Sequence, residues 1–398
     1  KVWDQKKIIF EKNKKEFLKN YQALQDKAHG AQSLEDFTQL YQNMVAWQIT
    51  LDQEEDPTLT HMLEDIVSSA NKSFATYIGE HYASWFKGGP APVLSHTLLR
   101  DKIIPAAQKQ KPLVLLLDNL RLDHWESLAS IFEKSYAIQE KSMTVSLLPT
   151  VTQYARNAIF AGMTPLEIRE KFPKLWESDS NSNLKNEYEK EFLDNFLKEN
   201  HLSLKIKYLK INREEEAANA LKNFKEIRQS DLSFVVCNFI DQLSHANTSN
   251  SLVKSMTPNP RAYRKAPQNW LENSSLNLLI SEAAKHKIQL IICTDHGSVL
   301  AKKPSLLKGH KEHTDNLRYK HGHKITPVPK DSVTFDKPHD IGLPKNSLAS
   351  SYIFAREDVY FVYPNQYHVH ASYYKDTYQH GGISMEEMLV PFLVLQPK

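Results

Sequence analysis

The sequence predicts an α/β protein in which helices cover both faces of a mostly parallel central sheet, preceded by a small helical bundle. In the later part of the chain, short apolar runs such as 113–117 and 232–237 alternate with helical stretches. Such runs are typical of parallel strands that are buried on both faces. The earlier part has helical periodicity and no proline before Pro57. Two parts are therefore expected, a helical bundle or linker over 1–90 and an α/β domain over 93–398.

Three helices account for the first part. Phe10, Phe17 and Leu24 recur at intervals of seven, which places them on one face of a first helix. Ser33 is followed three residues later by Asp36, a spacing typical of the capping box at a helix start. A third helix is expected after Pro57. The sequence GGPAP then indicates the domain boundary.

The α/β part is expected to contain further strands and two segments of different character. Segment 176–200 is rich in Asn, Glu, Lys and Ser, which predicts an exposed insertion or a helix. Residues 301–350 contain many Pro, Lys and His, which favours long loops near the functional site. The remaining apolar runs predicted as strands are 144–148, 289–293, 359–363 and 389–395.

Composition narrows the class of protein and its compartment. The 398 residues carry a net charge of +3, too mild to indicate a protein that coats nucleic acid. Cys237 and Cys293 lie inside apolar runs, which favours buried packing over a disulfide or a metal site, and hence a reducing, cytoplasmic location. No apolar stretch approaches the ~20 residues that span a bilayer. The chain also starts without Met or a signal sequence, so we expect a segment upstream.

Candidate metal ligands follow the ends of predicted strands. Asp118 comes directly after LVLLL, where a carboxylate is costly unless a cation meets it; the alternative is that it caps the following helix. Asp241 and His245 are four residues apart, so on a helix they would share a face and could hold one ion. The alternative for this pair is an ordinary surface Asp–His contact.

Two further motifs add donors. Asp295 and His296 are adjacent, so both reach one site only where a strand gives way to a loop, a bend that Gly297 allows. His380 precedes two glycines that permit a tight turn, although a structural histidine is equally compatible. The carboxyl ends of parallel strands form the ligand crevice of an open α/β sheet. Oxygen and imidazole donors gathered there predict a metal site suited to zinc.

Thr152 lies in LPTVTQYARN, which reads as a turn leading into a helix. Backbone N–H groups and the dipole at a helix N-terminus favour an oxyanion. A threonine hydroxyl becomes a nucleophile only when a metal or base removes its proton, and a simple N-cap role would also explain this residue. Together with Thr152, the candidate donors are numerous enough for two metal ions. They are Asp118, Thr152, Asp241, His245, Asp295, His296 and His380.

The order of these motifs resembles that of the alkaline phosphatase superfamily. More closely, DNLRLDHW, LPTVTQYARNAIFAG, FIDQLSHA, TDHG, LRYK and QHGGISMEEMLVP resemble the PglZ domain, specifically that of PorX-type response regulators. The resemblance covers residues 93–398, and the helical segment before them fits the same family. It implies an alkaline phosphatase-like fold and a phosphoacceptor receiver domain that would lie upstream of this chain.

The resemblance further implies a zinc-dependent phosphodiesterase with two Zn²⁺ ions. Thr152 would be the catalytic nucleophile and would form a phosphothreonine intermediate during in-line phosphoryl transfer. The implied substrates are nucleotide and oligonucleotide phosphodiesters, cyclic or linear. One zinc would be held by Asp241, His245 and His380, and the other by Asp118, Asp295, His296 and the Thr152 oxygen.

Substrate contacts are less sharply indicated. Related diesterases of the nucleotide pyrophosphatase type carry an Asn three residues after the nucleophile, where this chain has Ala155; Arg156 and Asn157 could therefore contact phosphate or face solvent. The basic segment 316–320 could hold a phosphate and stack on a base, or form a solvated loop. The candidate contacts are Asn119, Arg156, Asn157, Arg318, Tyr319 and Lys320. A further zinc site is disfavoured, because neither tight spacing nor a thiol accompanies His310, His313, His321 and His323.

The resemblance also implies a regulatory setting. The protein would be the output module of a two-component response regulator that controls type IX secretion, with an upstream receiver domain and a histidine kinase. A secretion-motor protein or a sigma factor is an expected partner, as is a second copy in a homodimer. Two alternatives remain open: a non-catalytic or dual-use binding module with structural metals, and a phosphomonoesterase. A sulfatase is disfavoured, because Thr152 cannot become formylglycine.

Overall fold

The chain divides into two units, Lys1–His81 and Tyr82–Lys398. The computed structural model describes residues 2–52, 56–176, 186–308, 315–322, 325–345, 351–365 and 367–398, with side chains from residue 8 onward.

The first unit contains three helices that pack against one another, α1 (Val2–Gly30), α2 (Leu34–Asp52) and α3 (Pro57–His81). Phe17 of α1 contacts Trp47 of α2 edge to face, with ring centroids 5.2 Å apart. The predicted capping box is confirmed. The Asp36 N–H donates to Ser33 Oγ over 3.1 Å, and the Ser33 N–H donates to Asp36 Oδ2 over 2.9 Å. Leu34 directly follows as the first residue of α2.

The second unit alternates strands and helices. Its helices are α4 (Ser95–Leu98), α5 (Ile104–Ala107), α6 (Leu122–Phe132), α7 (Thr152–Ala161), α8 (Pro165–Lys171), α9 (Glu189–Glu199), α10 (Glu214–Lys222), α11 (Phe224–Arg228), α12 (Phe239–Ser249), α13 (Ser251–Met256), α14 (Pro260–Glu272), α15 (Ser275–Lys285), α16 (Tyr367–Tyr374) and α17 (Met385–Met388). Short 3-10 or π-helical segments cover Tyr82–Phe86, Leu99–Ile103, Pro329–Asp331 and Pro338–Ile341.

The strands of this unit form one large sheet and three small ones. They are β1 (Leu113–Leu117), β2 (Tyr136–Val145), β3 (Ile206–Ile211), β4 (Leu232–Cys237), β5 (Leu290–Cys293), β6 (Val299–Ala301), β7 (Lys303–Leu306), β8 (Tyr319–Gly322), β9 (Ser332–Phe335), β10 (Ser351–Ala355), β11 (Val359–Val362), β12 (Thr377–Gln379) and β13 (Leu389–Pro397). The large sheet has the order β2-β13-β5-β1-β4-β3. Within it β3, β4, β1 and β5 are parallel, whereas β13 runs antiparallel to β5 and β2.

Both faces of this sheet are covered, as predicted. All five residues of β1 are at most 2% exposed, although alternate side chains of a strand point to opposite faces. Val114 and Leu116 belong to a core cluster that also contains Ile159 of α7 and Phe192 of α9. The apolar side chains of one face are therefore buried under α7 and α9. The predicted α/β architecture with a mostly parallel central sheet is confirmed.

Two expectations about the second unit were wrong in part, and one strand was missed. The apolar run 359–363 does not join the central sheet, because β11 pairs with β7. Residues 301–350 are not only loops, since β8 and β9 flank β10 in a three-stranded sheet. The edge strand β3 was not predicted, because IKYLKI is half-exposed along most of its length and lacks a continuous apolar run.

The polar segment 176–200 has a mixed outcome. Residues 189–199 form α9, whose Phe192 and Leu193 are buried in the core, whereas residues 177–185 lie outside the described part of the chain. Cys237 and Cys293 are buried free thiols, in line with the expected packing role. In the described residues, every helix is too short or too polar to cross a bilayer.

Candidate metal centre

Two carboxylates lie side by side at the carboxyl end of the central sheet. The parallel register pairs Leu117 of β1 with Cys237 of β4, and Leu116 of β1 with Cys293 of β5. The next residues beyond β1 and β5 therefore meet at the same level, and they include Asp118 and Asp295. Asp118 is 3% exposed and Asp295 is fully buried. Asp118 does not cap the following helix, because α6 has Arg121 as its N-cap residue.

The first turn of α12 brings a third carboxylate to this edge. Asp241 lies four residues after the end of β4, and Asn119 connects it to the other carboxylates. The Asn119 Nδ2 group donates to Asp241 Oδ1 over 3.3 Å, and its backbone N–H approaches Asp295 Oδ1 at 3.5 Å. His245 lies one turn further along α12, with Nε2 3.2 Å from Asp241 Oδ2. Its side chain is 70% exposed, compared with 14% for Asp241.

A small antiparallel pairing brings the two remaining histidines together. Gln379 of β12 pairs with Val299 of β6, so the residue after β12 is placed beside the loop before β6. As a result His380 stacks on His296, with ring centroids 4.2 Å apart. Gly381 has a φ of +121°, a backbone conformation that favours glycine. The predicted tight turn after His380 therefore exists.

Hydrogen bonds to carbonyl groups determine which ring nitrogen of each histidine is free. His380 Nδ1 lies 3.0 Å from the Thr150 carbonyl, and His296 Nδ1 lies 3.0 Å from the Gly297 carbonyl. Because a carbonyl only accepts, each Nδ1 carries a proton, and in the neutral ring Nε2 is the nitrogen left with a lone pair. Orientation of this kind is typical of metal-binding histidines.

Thr152 faces the same point. It is the first residue of α7, and the N-cap residue is Val151, so the simple N-cap explanation of Thr152 does not hold. Its Oγ1 lies within hydrogen-bond distance of His296 Nε2, at 3.1 Å. The hydroxyl thus lies at the N-terminus of α7, beside the two histidines and the carboxylates.

Among the described residues, two groups of donors have ligand atoms within 4.8 Å of one another. One contains Asp241, His296 and His380, and the other contains Asp118, Asp295 and His296. The sequence-based assignment differed in one respect. It placed His245 with Asp241 and His380. In the structure His296 belongs to both groups, and His245 lies beside Asp241 with its side chain 70% exposed, so its role as a ligand stays a prediction.

The electrostatics of the centre are those of crowded, buried charges. Burial raises the pKa of Asp118, and the adjacent carboxylate of Asp295 acts in the same direction. Burial also acts to raise the pKa of Asp295, but the Arg156 guanidinium, His296 and a backbone hydrogen bond together lower the pKa. Burial and the neighbouring His296 lower the pKa of His380 to about 3. His380 is therefore neutral at pH 7, the form in which imidazole binds a metal.

The donor set fits a metal ion. Asp118 Oδ1 is buried and accepts no hydrogen bond from the described residues. An ionised oxygen in that state is costly unless a cation meets it. Carboxylate oxygens, imidazole nitrogens and one hydroxyl form a mixed N/O set that suits zinc better than calcium or magnesium.

Most of the predicted substrate contacts are buried. Asn119 and Arg156 are fully buried and Asn157 is 5% exposed, so none of the three faces solvent. Arg318 is fully buried in an ion pair with Glu387. The roles of these residues towards a substrate stay predictions.

The segment that follows Arg318 is not a solvated loop. Tyr319 and Lys320 begin β8 and are at most 3% exposed. The Lys320 ammonium lies over the ring of Tyr363 at 5.3 Å. Of the four histidines weighed as a further zinc site, His321 is buried in β8, and His310, His313 and His323 lie outside the described residues.

Three residues that organise the centre were missed by the sequence analysis. Thr150 Oγ1 accepts the Gly381 N–H over 2.9 Å and donates to the Gly382 carbonyl over 3.2 Å. Glu189 and Glu387 are buried carboxylates paired with arginines. Glu387 follows Ser384 at capping-box spacing, which indicates only a helix start, and no sequence signal distinguished Glu189.

The two units match two protein families. Residues 98–395 match the BREX system PglZ alkaline phosphatase-like domain. The chain belongs to this PglZ family. Residues 7–86 match the PorX response regulator linker domain. The predicted membership of a PglZ-domain protein of PorX type is therefore confirmed, together with its alkaline phosphatase-like fold.

Solved structures of two enzymes are similar to this PglZ protein at low sequence identity. Murine ectonucleotide pyrophosphatase/phosphodiesterase 5 is 15% identical, with 72% of this chain and 88% of that chain covered and a TM-score of 0.45. Phosphonoacetate hydrolase from Sinorhizobium meliloti 1021 in complex with phosphonoformate is 10% identical, with 72% and 89% covered and a TM-score of 0.43. Among curated proteins, no relative matches the chain.

Proposed function

We propose that this PglZ protein is a zinc-dependent phosphodiesterase that uses Thr152 as its nucleophile against nucleotide or oligonucleotide phosphodiesters. The observation that carries the proposal is the position of the Thr152 hydroxyl. Thr152 is the first residue of α7 but not its cap, and its Oγ1 lies 3.1 Å from Nε2 of His296, the residue shared by the two groups of metal-type donors. Membership of an alkaline phosphatase-like family supports the same chemistry.

Two Zn²⁺ ions would divide the donors between them. His296 offers only Nε2, because its Nδ1 is bound to the Gly297 carbonyl, so it can serve one ion. With His296 in the group of Asp118 and Asp295, the other ion would be held by Asp241 and His380, and the exposed His245 can turn to complete that set. When bound, zinc supplies Lewis-acid stabilisation of the phosphoryl group and lowers the pKa of a coordinated hydroxyl or water.

The chain itself supplies the nucleophile and orients it. Thr152 Oγ would form a bond to phosphorus as the bond to the leaving alcohol breaks, and the proton that Thr152 loses balances the one that the alcohol gains. Water would then cleave the phosphothreonine, restoring the hydroxyl and releasing a phosphomonoester. The positive end of the α7 dipole lies beside the attacked group and favours its negative charge.

The test combines metal content with a pair of chromogenic substrates. We expect purified protein to contain zinc and to hydrolyse bis-p-nitrophenyl phosphate, and Thr152→Ala to retain zinc but lose at least about a hundredfold in kcat, as nucleophile removal does in other hydrolases. Thr58→Ala, in the exposed first turn of α3, is a matched control that should keep full activity.

Other outcomes would favour the alternatives. Bound zinc with no hydrolysis by either protein would indicate a binding module with structural metals. Hydrolysis of p-nitrophenyl phosphate alone would indicate a phosphomonoesterase. A wild-type rate for Thr152→Ala would contradict the assigned nucleophile.

We also propose a regulatory setting, supported by the match of residues 7–86 to a PorX linker. The protein would act in the cytoplasm as the output module of a response regulator for type IX secretion, downstream of a receiver domain and its histidine kinase. A homodimer and contacts with a secretion-motor protein or a sigma factor belong to the same proposal. The test is to phosphorylate a receiver-containing form with acetyl phosphate and measure diesterase rate and molecular mass. Unchanged values for both would contradict it.

A further inference from the structure

Arg156 is directed towards the metal-type carboxylates and away from solvent. Its side chain projects from α7, one turn after Thr152, and is fully buried. Arg156 Nε donates to Asp295 Oδ2 over 3.0 Å, and Nη2 forms an ion pair with Asp118 Oδ2. Nη1 donates to Asn238 Oδ1 over 2.9 Å. One guanidinium thus connects the ends of β1, β4 and β5.

The contacts of Arg156 leave one oxygen of the Asp118 carboxylate available for a metal ion. Asp118 uses Oδ2 for Arg156, while Oδ1 accepts no hydrogen bond from the described residues and lies 3.6 Å from His296 Nε2. Asp295 likewise uses Oδ2 for Arg156, and its Oδ1 accepts the His296 N–H over 3.1 Å. A planar guanidinium has donors in fixed directions. It therefore sets the rotation of both carboxyl groups.

A third buried carboxylate completes the charge balance around Arg156. Glu189 at the start of α9 is 1% exposed and lies 3.5 Å from Arg156 Nη1, and Lys210 Nζ lies 3.4 Å from its other oxygen. When they are ionised, the three carboxylates Asp118, Asp295 and Glu189 face two cations, Arg156 and Lys210, which gives a net charge of −1. Without Arg156 the balance would be −2, nearly all of it buried.

We infer that Arg156 is a positioning residue which supplies, in the metal-free protein, the positive charge that these carboxylates need, so that the centre folds before any metal binds. The inference rests on the metal-binding role proposed above for Asp118 and Asp295. In this inference Arg156 contacts the carboxylates that would bind the metal, and it does not contact the substrate phosphate. Removing one partner of a buried ion pair leaves an uncompensated charge, which is strongly destabilising.

Metal and arginine then become partly interchangeable as sources of positive charge. A ligand that binds only the native state stabilises it by a free energy that increases with the logarithm of its affinity for that state. In Arg156→Gln the metal-free native state would lose its internal cation, whereas the zinc-bound state would regain positive charge from the ion. Zinc should therefore stabilise the variant more than it stabilises the wild type.

The experiment measures thermal unfolding of the full chain after EDTA treatment and after reloading with zinc chloride. We expect metal-free Arg156→Gln to unfold roughly 5–10 °C below the metal-free wild type. We expect the zinc-induced rise in Tm to be at least about twice the wild-type rise. Arg156→Lys keeps the charge but not the fork geometry, and should give an intermediate rise.

Two control variants make the result specific. Arg264→Gln removes another buried arginine, which lies 3.8 Å from Asp123 and outside both donor groups; its loss of stability should not be recovered by zinc. Thr152→Ala removes the hydroxyl but leaves the contacts of Arg156 with Asp118, Asp295 and Glu189 in place, and should unfold like the metal-free wild type in EDTA.

The outcomes separate this inference from the proposed function. A zinc-induced rise in Arg156→Gln that is no larger than the wild-type rise would overturn the inference and leave the diesterase proposal standing. If Arg156→Gln cannot be purified, Arg156→Lys decides in the same way. An absence of any zinc effect on the wild type would overturn the proposed metal centre, and the inference with it.

Discussion

Replacement of Arg318 by Gln should unfold the second unit at markedly lower denaturant concentration. The guanidinium is fully buried and grips Glu387 with two hydrogen bonds, of 3.1 Å from Nε and 2.6 Å from Nη2. Glu387 also accepts the Gly382 N–H over 2.9 Å, and its own carbonyl accepts the Gly297 N–H over 3.1 Å. The ion pair thus supports the loops that carry both His380 and His296.

The magnitude follows from burial. A broken buried ion pair costs about 3–5 kcal/mol, because the partner charge stays in a low-dielectric environment. Glu387 would keep the Gly382 N–H and the Ser384 hydroxyl as partners, which places the expected loss near the lower end, at about 3 kcal/mol. A residue whose only role was to contact substrate would give almost no loss.

The assay is equilibrium unfolding of the full chain in urea, followed by near-UV circular dichroism. Arg100→Gln is the control, because the Arg100–Asp101 pair is 64% and 35% exposed, and such surface pairs contribute about 0–1 kcal/mol. A stability of Arg318→Gln within about 1 kcal/mol of wild type, together with a raised KM for the diester, would refute the supporting role and restore the predicted substrate contact.

Three more predictions address other parts of the second unit. Thr150→Val keeps the side-chain shape but removes the acceptor of a buried N–H, so the free energy of unfolding in urea should fall by about 1–3 kcal/mol. A chelator competition should also show weaker zinc binding. Unchanged values in both measurements would contradict this. In Gly297→Ala the new Cβ would lie 1.9 Å from the Glu386 carbonyl, so little folded protein is expected, and a wild-type melting curve would exclude the clash. Burial lowers the pKa of His96 to about 4 and that of His124 to about 3, below the unfolded value of about 6.5. The unfolded chain therefore takes up protons first, and stability present above about pH 6.5 should fall towards pH 4. A urea midpoint at pH 5 equal to that at pH 7 would contradict the reasoning.

Much of the sheet and its ligands could be predicted because two signals coincide. The runs that became β1, β4 and β5 are continuously apolar, as strands buried on both faces must be. Asp118 and Asp295 follow two of these runs closely. A carboxylate at the carboxyl end of a buried strand indicates a metal-binding or ligand-binding site. Strand β3 escaped prediction, because a half-exposed edge strand mixes Lys with apolar residues.

The finer arrangement of the centre depends on contacts between distant segments. A helix position does not say whether Arg156 points to the sheet or to water, and Glu189, which accounts for part of its burial, lies 33 residues away. The pairing of β12 with β6 moves His380 onto His296, and no local pattern indicates that pairing. The exposed position of His245 likewise depends on how α12 is set against the sheet.

The parallel register at the end of the central sheet has a consequence for how this centre could change. Asp118 and Asp295 are held at one height by backbone hydrogen bonds between β1 and its two neighbours, with strands about 4.8 Å apart. Side chains there can be exchanged without moving the scaffold, so a new ion or a new reaction could arise by point substitution. A shift of one strand by a single residue, by contrast, would turn every ligand on it to the opposite face.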